Sequence, residues 1–179
     1  MQYRRSRQAG GSYFFTLVTH SRRKILTDND ALELLRASFR RVKAKRPFLV
    51  DAMVVLPDHL HCIWTLPPDD HDFSTRWRLI KSRFSRYYRE RRSSGRVHAV
   101  SGIECQPVWQ NRYWEHLLRD EEDYRRHLDY IHYNPVKHGY TKSPVDWSWS
   151  SFRRYVLKGV YTEDWGSSAI NLPQDVGRE

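Results

Sequence analysis

The chain has 179 residues, a formal charge of +10 at neutral pH and a pI near 9.8. Hydrophobic residues make up 39 %, with seven Trp, eleven Tyr and seven Phe, which suits one domain with a real core and excludes a disordered chain. No apolar run approaches the roughly 20 residues of a membrane span, and the basic N-terminus has no apolar segment behind it. Two cysteines, Cys62 and Cys105, make no disulfide framework, so two reduced thiols in the cytosol are expected.

The positive charge is unevenly placed. Residues 1–46 carry twelve Lys or Arg against three acids, and residues 73–98 carry nine against one. Tyr13, Phe14 and Phe15 lie in the first stretch, and Trp77, Phe84, Tyr87 and Tyr88 in the second. Cations interleaved with stackable rings suit single-stranded nucleic acid, whereas a solvated charged face is the plain alternative.

In chain order, Ser12 to Thr19 predicts a first strand, aromatic and β-branched. Gly10-Gly11 just ahead of it permits a turn or a close approach of backbone to a ligand. Thr27 to Asp30 offers helix caps, and Ala31, Leu34, Leu35, Ser38, Phe39 and Val42 recur at helical spacing up to Pro47. Phe48 to Leu56 predicts the second strand, turning at Leu56-Pro57-Asp58 into a third that carries His59, Leu60, His61, Cys62, Ile63, Trp64 and Thr65. Alternation puts Leu60, Cys62, Trp64 and Leu66 on a core face, and His59 and His61 side by side on the other. Two such imidazoles suit a metal or phosphate site; the bland reading is a pair of hydrogen-bonded sheet histidines.

Asp72 or Ser74 caps a second helix through Trp77, Ile80, Lys81, Phe84, Tyr87 and Tyr88, fading near Arg91. Residues 93–106 are expected to form a flexible loop. Gln106 to Trp109 and Arg112 to Leu118 predict a fourth strand with an aromatic turn. Asp120-Glu121-Glu122 opens a third helix with acids at its positive end, and Pro135 is expected to end it. On that helix Tyr124, Leu128 and Ile131 form the predicted core stripe. Tyr130 lies about 120° away from it by helical periodicity, with His127 one turn before it and Asn134 one turn after it.

The resulting order, β-α-β-β-α-β-α, describes a ferredoxin-like α+β sandwich with an antiparallel central sheet. Residues 1–140 are expected to form the working domain. Residues 141–179 are expected to form a short helical tail, packed in its aromatic part and disordered over its last dozen residues.

The two histidines on a strand, followed by Tyr130 and Asn134 on a helix, resemble the HUH single-tyrosine transposases. Arg46-Pro47-Phe48, Val54 to Pro67, Phe73 to Arg78 and Tyr130 to Gly139 resemble the REP-associated tyrosine transposases, bacterial proteins tied to repetitive extragenic palindromes. The likeness spans about residues 3–165. It implies a metal-dependent endonuclease and strand transferase acting on single-stranded DNA hairpins with their flanking bases, through a 5′-phosphotyrosine. Tyr130 corresponds to the nucleophile and His59 and His61 to the metal pair. Asn134 takes the place of a glutamine ligand in related insertion-sequence enzymes. The implied cofactor is a divalent ion, Mg²⁺ or Mn²⁺: two nitrogens favour Mn²⁺, and Mg²⁺ prefers oxygens.

Gly10, Gly11 and Tyr13 match a region that contacts bases preceding the hairpin. Arg76, Arg78, Lys81 and Arg83 of the second basic stretch are the expected DNA contacts. Tyrosine is a poor nucleophile at neutral pH, so the metal or a basic neighbour such as His127 is expected to activate Tyr130. The resemblance further implies a monomer working in the bacterial cytoplasm at the nucleoid. Rival readings are a hairpin-binding regulator without cleavage, a water-using metallonuclease, and a structural zinc site at Cys62 or Cys105. Cys62 points away from the histidines, which makes it a poor co-ligand.

Overall fold

Two strands of nearly unbroken apolar and aromatic sequence, Ser12–Val18 (β1) and His59–Thr65 (β3), form the middle of the sheet. Strands buried on both faces read as continuous runs rather than strict alternation. They pair antiparallel, with Phe14 opposite Ile63 and Thr16 opposite His61. Leu49–Val55 (β2) pairs with the outer side of β3, and the short Trp114–Leu117 (β4) with the outer side of β1, giving the order β2-β3-β1-β4. In this computed structural model residues 7–94, 107–170 and 176–177 are described. The expected loop at 93–106 lies outside them from residue 95 onward.

Asn29–Lys45 (α1) crosses from β1 to β2, and Phe73–Ser93 (α2) from β3 to β4. Both cover one sheet face, over Tyr13, Phe15, Leu60, Cys62 and Trp64. Trp77 of α2 stacks on Trp64 at 4.0 Å, and Phe48 meets Trp64 at 4.2 Å. Each such buried aromatic contributes about 3 kcal/mol of transfer free energy. The α+β sandwich with an antiparallel sheet is thus as expected, including the hairpin at Leu56-Pro57-Asp58, closed by the Leu56 amide on the His59 carbonyl at 2.8 Å.

The opposite sheet face holds a second core built by Glu121–Lys137 (α3) and the chain after it. Asp120 caps α3 by accepting the Asp123 amide at 2.8 Å, with Glu121, Glu122 and Asp123 in the first turn. Pro135 does not end this helix. It sits in the last turn, where its missing N–H costs one bond, and α3 closes at Lys137. Gly139, at φ 70°, donates to the Val136 carbonyl and Tyr140 donates to Pro135, a left-handed stop that needs glycine.

The chain beyond α3 is less tail than edge cover. The Val55 amide donates to Trp149, Ser151 donates to Met53, and the Trp147 indole donates to Val55, which protects the exposed edge of β2. Phe152–Leu157 (α4) then packs Phe152 and Tyr155 onto the second core. The expected disorder of the last dozen residues does not hold for Val176, which is buried; residues 171–175 and 178–179 lie outside the described set.

Candidate functional site

His59 and His61 point to the α3 side of the sheet, their rings 4.9 Å apart. They are 1 % and 0 % exposed, so this face is an interior and not a solvent-facing surface. Each Nδ1 is engaged by its own chain. Asp58 Oδ1 lies 2.7 Å from His59 Nδ1, and Thr16 Oγ1 lies 2.9 Å from His61 Nδ1. Thr16 is the cross-strand partner of His61, so sheet register alone brings them together. Burial pushes the Asp58 carboxyl up, but the hydrogen bonds and charges of His59 and Arg22 overcome it and hold the group below its usual range. A carboxylate behind a histidine fixes the tautomer with Nε2 as the ligating nitrogen. His59 Nε2 is buried with no hydrogen-bond partner among the described residues, so it is suited to ligate a divalent ion.

From α3, Tyr130 brings its ring to 5.2 Å from His61 and 6.0 Å from Phe14. It is 2 % exposed, which corrects the expectation of a tyrosine without a core role. The buried arc of α3 takes in His127, Leu128, Tyr130, Ile131, His132, Asn134 and Pro135. It is wider than one stripe because the sheet and the C-terminal chain cover different sides of the helix. Gly177 lies so close to the phenol that an added Cβ would sit 2.2–2.5 Å from it. Lys137, two turns after Tyr130, donates to its hydroxyl at 3.0 Å and stands 4.7 Å from the ring centre. Asn134 is fully buried one turn after Tyr130, and His138 brings its ring to 5.1 Å from His59.

The other tyrosines of α3 are worse placed. Burial and the neighbouring Tyr155 push the Tyr124 phenol well up, and Tyr133 packs on Trp165. His127 hydrogen-bonds Asp123 rather than Tyr130, so the basic neighbour is Lys137.

The expected DNA contacts divide. Arg76 is 1 % exposed, and its guanidinium donates to Arg46, Asp72 and Pro47 carbonyls and to the Asp70 carboxylate, which makes it a loop anchor and not a phosphate contact. Tyr13 is fully buried with its hydroxyl donating to Gln8. Lys81 reaches the Gln110 carbonyl at 2.6 Å. Arg78 is exposed, and Arg83 stacks on the Tyr87 ring at 4.8 Å, so these two remain available to a polyanion. Gly10 and Gly11 pack against Pro68, Leu117 and Tyr13. Cys62 lies in the core under α1 and α2, away from the histidines, and Cys105 is outside the described residues.

A family model described as IS200-like transposase matches residues 8–134, a span that includes His59, His61, Tyr130 and Asn134. The REP-associated tyrosine transposase of Escherichia coli K12 is 45 % identical over 171 residues, covering 96 % of this chain and 94 % of that one. The chain belongs to the REP-associated tyrosine transposases of the IS200-like family. A solved structure of a REP-associated tyrosine transposase bound to a REP hairpin superposes with a TM-score of 0.77 at 40 % identity, covering 99 % of both chains. The fold of that transposase is therefore shared by the described residues of this chain. Among the described helices none is long and apolar enough to cross a membrane.

Proposed function

We propose that this transposase cleaves and rejoins single-stranded DNA beside REP-type hairpins, with Tyr130 as nucleophile and a divalent ion held by His59, His61 and Asn134. The observation that carries this reading is the convergence of Tyr130, His61 and Lys137, from a strand and a helix some seventy residues apart. The relative bound to a REP hairpin supports the substrate class.

When bound, the ion would neutralise charge on the nonbridging oxygens of the scissile phosphate. Asp58 and Thr16 keep the two imidazoles oriented through Nδ1. Lys137 donates to the Tyr130 hydroxyl and favours its ionised form, the nucleophilic one. Attack makes a bond between the Tyr130 oxygen and phosphorus and breaks the bond from phosphorus to the 3′ oxygen. The hydroxyl gives up its proton, the departing 3′ oxygen gains one, and the 5′-phosphate stays on the protein. Attack by another 3′-hydroxyl reverses the step without ATP. Arg78 and Arg83 supply phosphate contacts, and two imidazoles favour Mn²⁺ over Mg²⁺.

The protein acts as a monomer, since the 147–151 segment covers the β2 edge through which sheets would otherwise pair, and it works on the chromosome in the bacterial cytoplasm. Light scattering of a sized peak checks the first point. For the activity, the protein is incubated with single-stranded hairpin DNA, its flanking bases and Mn²⁺. A denaturation-stable protein–DNA adduct with release of a 3′-hydroxyl fragment is expected. Hairpin binding with no adduct and no cleavage would favour the regulator reading, and cleavage without any adduct would favour a water-using nuclease.

A further inference from the structure

The HUH pair is not the only place where ligand-type side chains converge. On the far side of Phe14, His116 of β4 meets Asp123 and His127 of α3. Each can offer one nitrogen or oxygen, and the three atoms lie within 4.8 Å of one another. Among the described residues this is the group of three His, Cys, Asp or Glu side chains that gathers so tightly. One Asp123 oxygen is 2.8 Å from His116 Nε2 and the other 3.0 Å from His127 Nδ1.

The plain alternative is a hydrogen-bonded clasp between strand and helix. A second observation argues for more. His127 is 3 % exposed, its Nδ1 is occupied by the Asp123 main-chain carbonyl at 2.8 Å, and its Nε2 is buried with no hydrogen-bond partner among the described residues. A buried imidazole nitrogen without a partner is costly unless something binds it. His116, Asp123 and His127 together wall a cleft of about 250 Å³; Asp120 and Glu122 also line it and offer further oxygen ligands, while the Arg119 and Arg126 cations line it too and must turn aside when an ion enters.

We propose that His116, Asp123 and His127 form a second divalent-cation site, separate from His59 and His61, in which the ion staples β4 to the first turns of α3. Two imidazoles and one carboxylate select a borderline transition ion, Zn²⁺, Co²⁺ or Mn²⁺, over Mg²⁺ or Ca²⁺. Ligands about 2.1 Å from one ion lie roughly 3 Å apart when adjacent, close to the 2.8 Å between Asp123 and His116 Nε2; His127 Nδ1 is held by the Asp123 carbonyl, so His127 ligates through Nε2. The proton between His116 Nε2 and Asp123 leaves to solvent when the ion enters, and the rings, now nearly parallel at 4.7 Å, turn to face it. The site holds the helix one turn before Tyr130 and does so whether or not Tyr130 is the nucleophile.

The test counts ions on the full-length protein. Zn²⁺ is titrated by calorimetry into the parent, into His59→Ala/His61→Ala, and into His116→Ala, and crystals soaked in Zn²⁺ are measured at the zinc edge. The expected result is two ions on the parent and one on each variant. The ion kept by the double variant gives its anomalous peak between His116, Asp123 and His127. His116 is partly exposed, so its truncation is the mildest available, and the double variant with its anomalous map tests the site even where His116→Ala folds poorly. A double variant that binds no ion, or a His116→Ala protein that still binds two, overturns the proposal. Neither outcome touches the role of Tyr130, which adduct formation reads separately.

Discussion

Asp58→Ala removes the carboxylate behind His59. The lost contact is short, 2.7 Å, and the imidazole it orients is 1 % exposed, so solvent does not replace it. A buried donor left without its partner costs about 1–3 kcal/mol. Independently, removing the group that orients a metal-bound histidine costs about 10–100-fold in metal affinity, which is about 1.4–2.8 kcal/mol. The Arg22–Asp58 pair adds little, because the Arg22 side chain is 45 % exposed and its charge is screened. The assay is the Mn²⁺ dependence of adduct formation on hairpin DNA in a single turnover. The half-saturating Mn²⁺ concentration should rise about 10–100-fold in Asp58→Ala, and less in Asp58→Asn, which keeps an acceptor for the His59 N–H. An Asp58→Ala protein with the parent's Mn²⁺ dependence would refute the orienting role and weaken the assignment of His59 as ligand.

Lys137→Ala removes a charge-assisted hydrogen bond of about 1.5–3 kcal/mol from the phenol, so adduct formation at saturating metal should slow about ten- to hundredfold; an unchanged rate would free Lys137 from any part in the chemistry. Arg76→Ala leaves Asp70 and three carbonyls without their donor and should cost about 3–5 kcal/mol in urea unfolding without altering the salt slope of DNA binding, whereas Arg78→Ala and Arg83→Ala should each reduce that slope by about 1. Burial, with the Arg154 charge nearby, holds the His132 imidazole down at about 3, so below the ordinary value of 6.5 the unfolded chain binds a proton that the folded one refuses. Stability should therefore fall as pH drops below 6.5, by about 2 kcal/mol from this group between pH 7 and 5, and His132→Gln should lose less over that range; equal losses would contradict its burial as the neutral form.

Much of the fold is legible in the residues because it rests on strong local patterns. The aromatic, β-branched run of β1, the Pro-Asp turn before β3 and the capped acidic start of α3 each dictate one element. The histidine pair is equally local, since alternation along β3 puts both on one face. What escaped a linear reading depends on what lies across the sheet or around a helix. Thr16 supports His61 only through the β1–β3 register. Tyr130 falls off the first apolar stripe of α3, and it is buried between the sheet, at Phe14 and His61, and the C-terminal chain at Gly177. Arg76 sits in a basic stretch and looks like a phosphate contact until Asp70 and the 46–47 carbonyls fold around it. Asp58 and Lys137 carried usable signals: one directly precedes His59, and the other lies two helical turns after Tyr130.

Tyr130 as the residue that bonds covalently to DNA is tested most directly by mapping the adduct. The adduct is digested with trypsin and nuclease, and the peptide spanning residues 127–137, between Arg126 and Lys137, is fragmented by mass spectrometry. A nucleotide mass on Tyr130, unmodified Tyr133, and no adduct from Tyr130→Phe are expected. An adduct that persists in Tyr130→Phe, or a modification mapped to Tyr133 or Tyr124, contradicts that role.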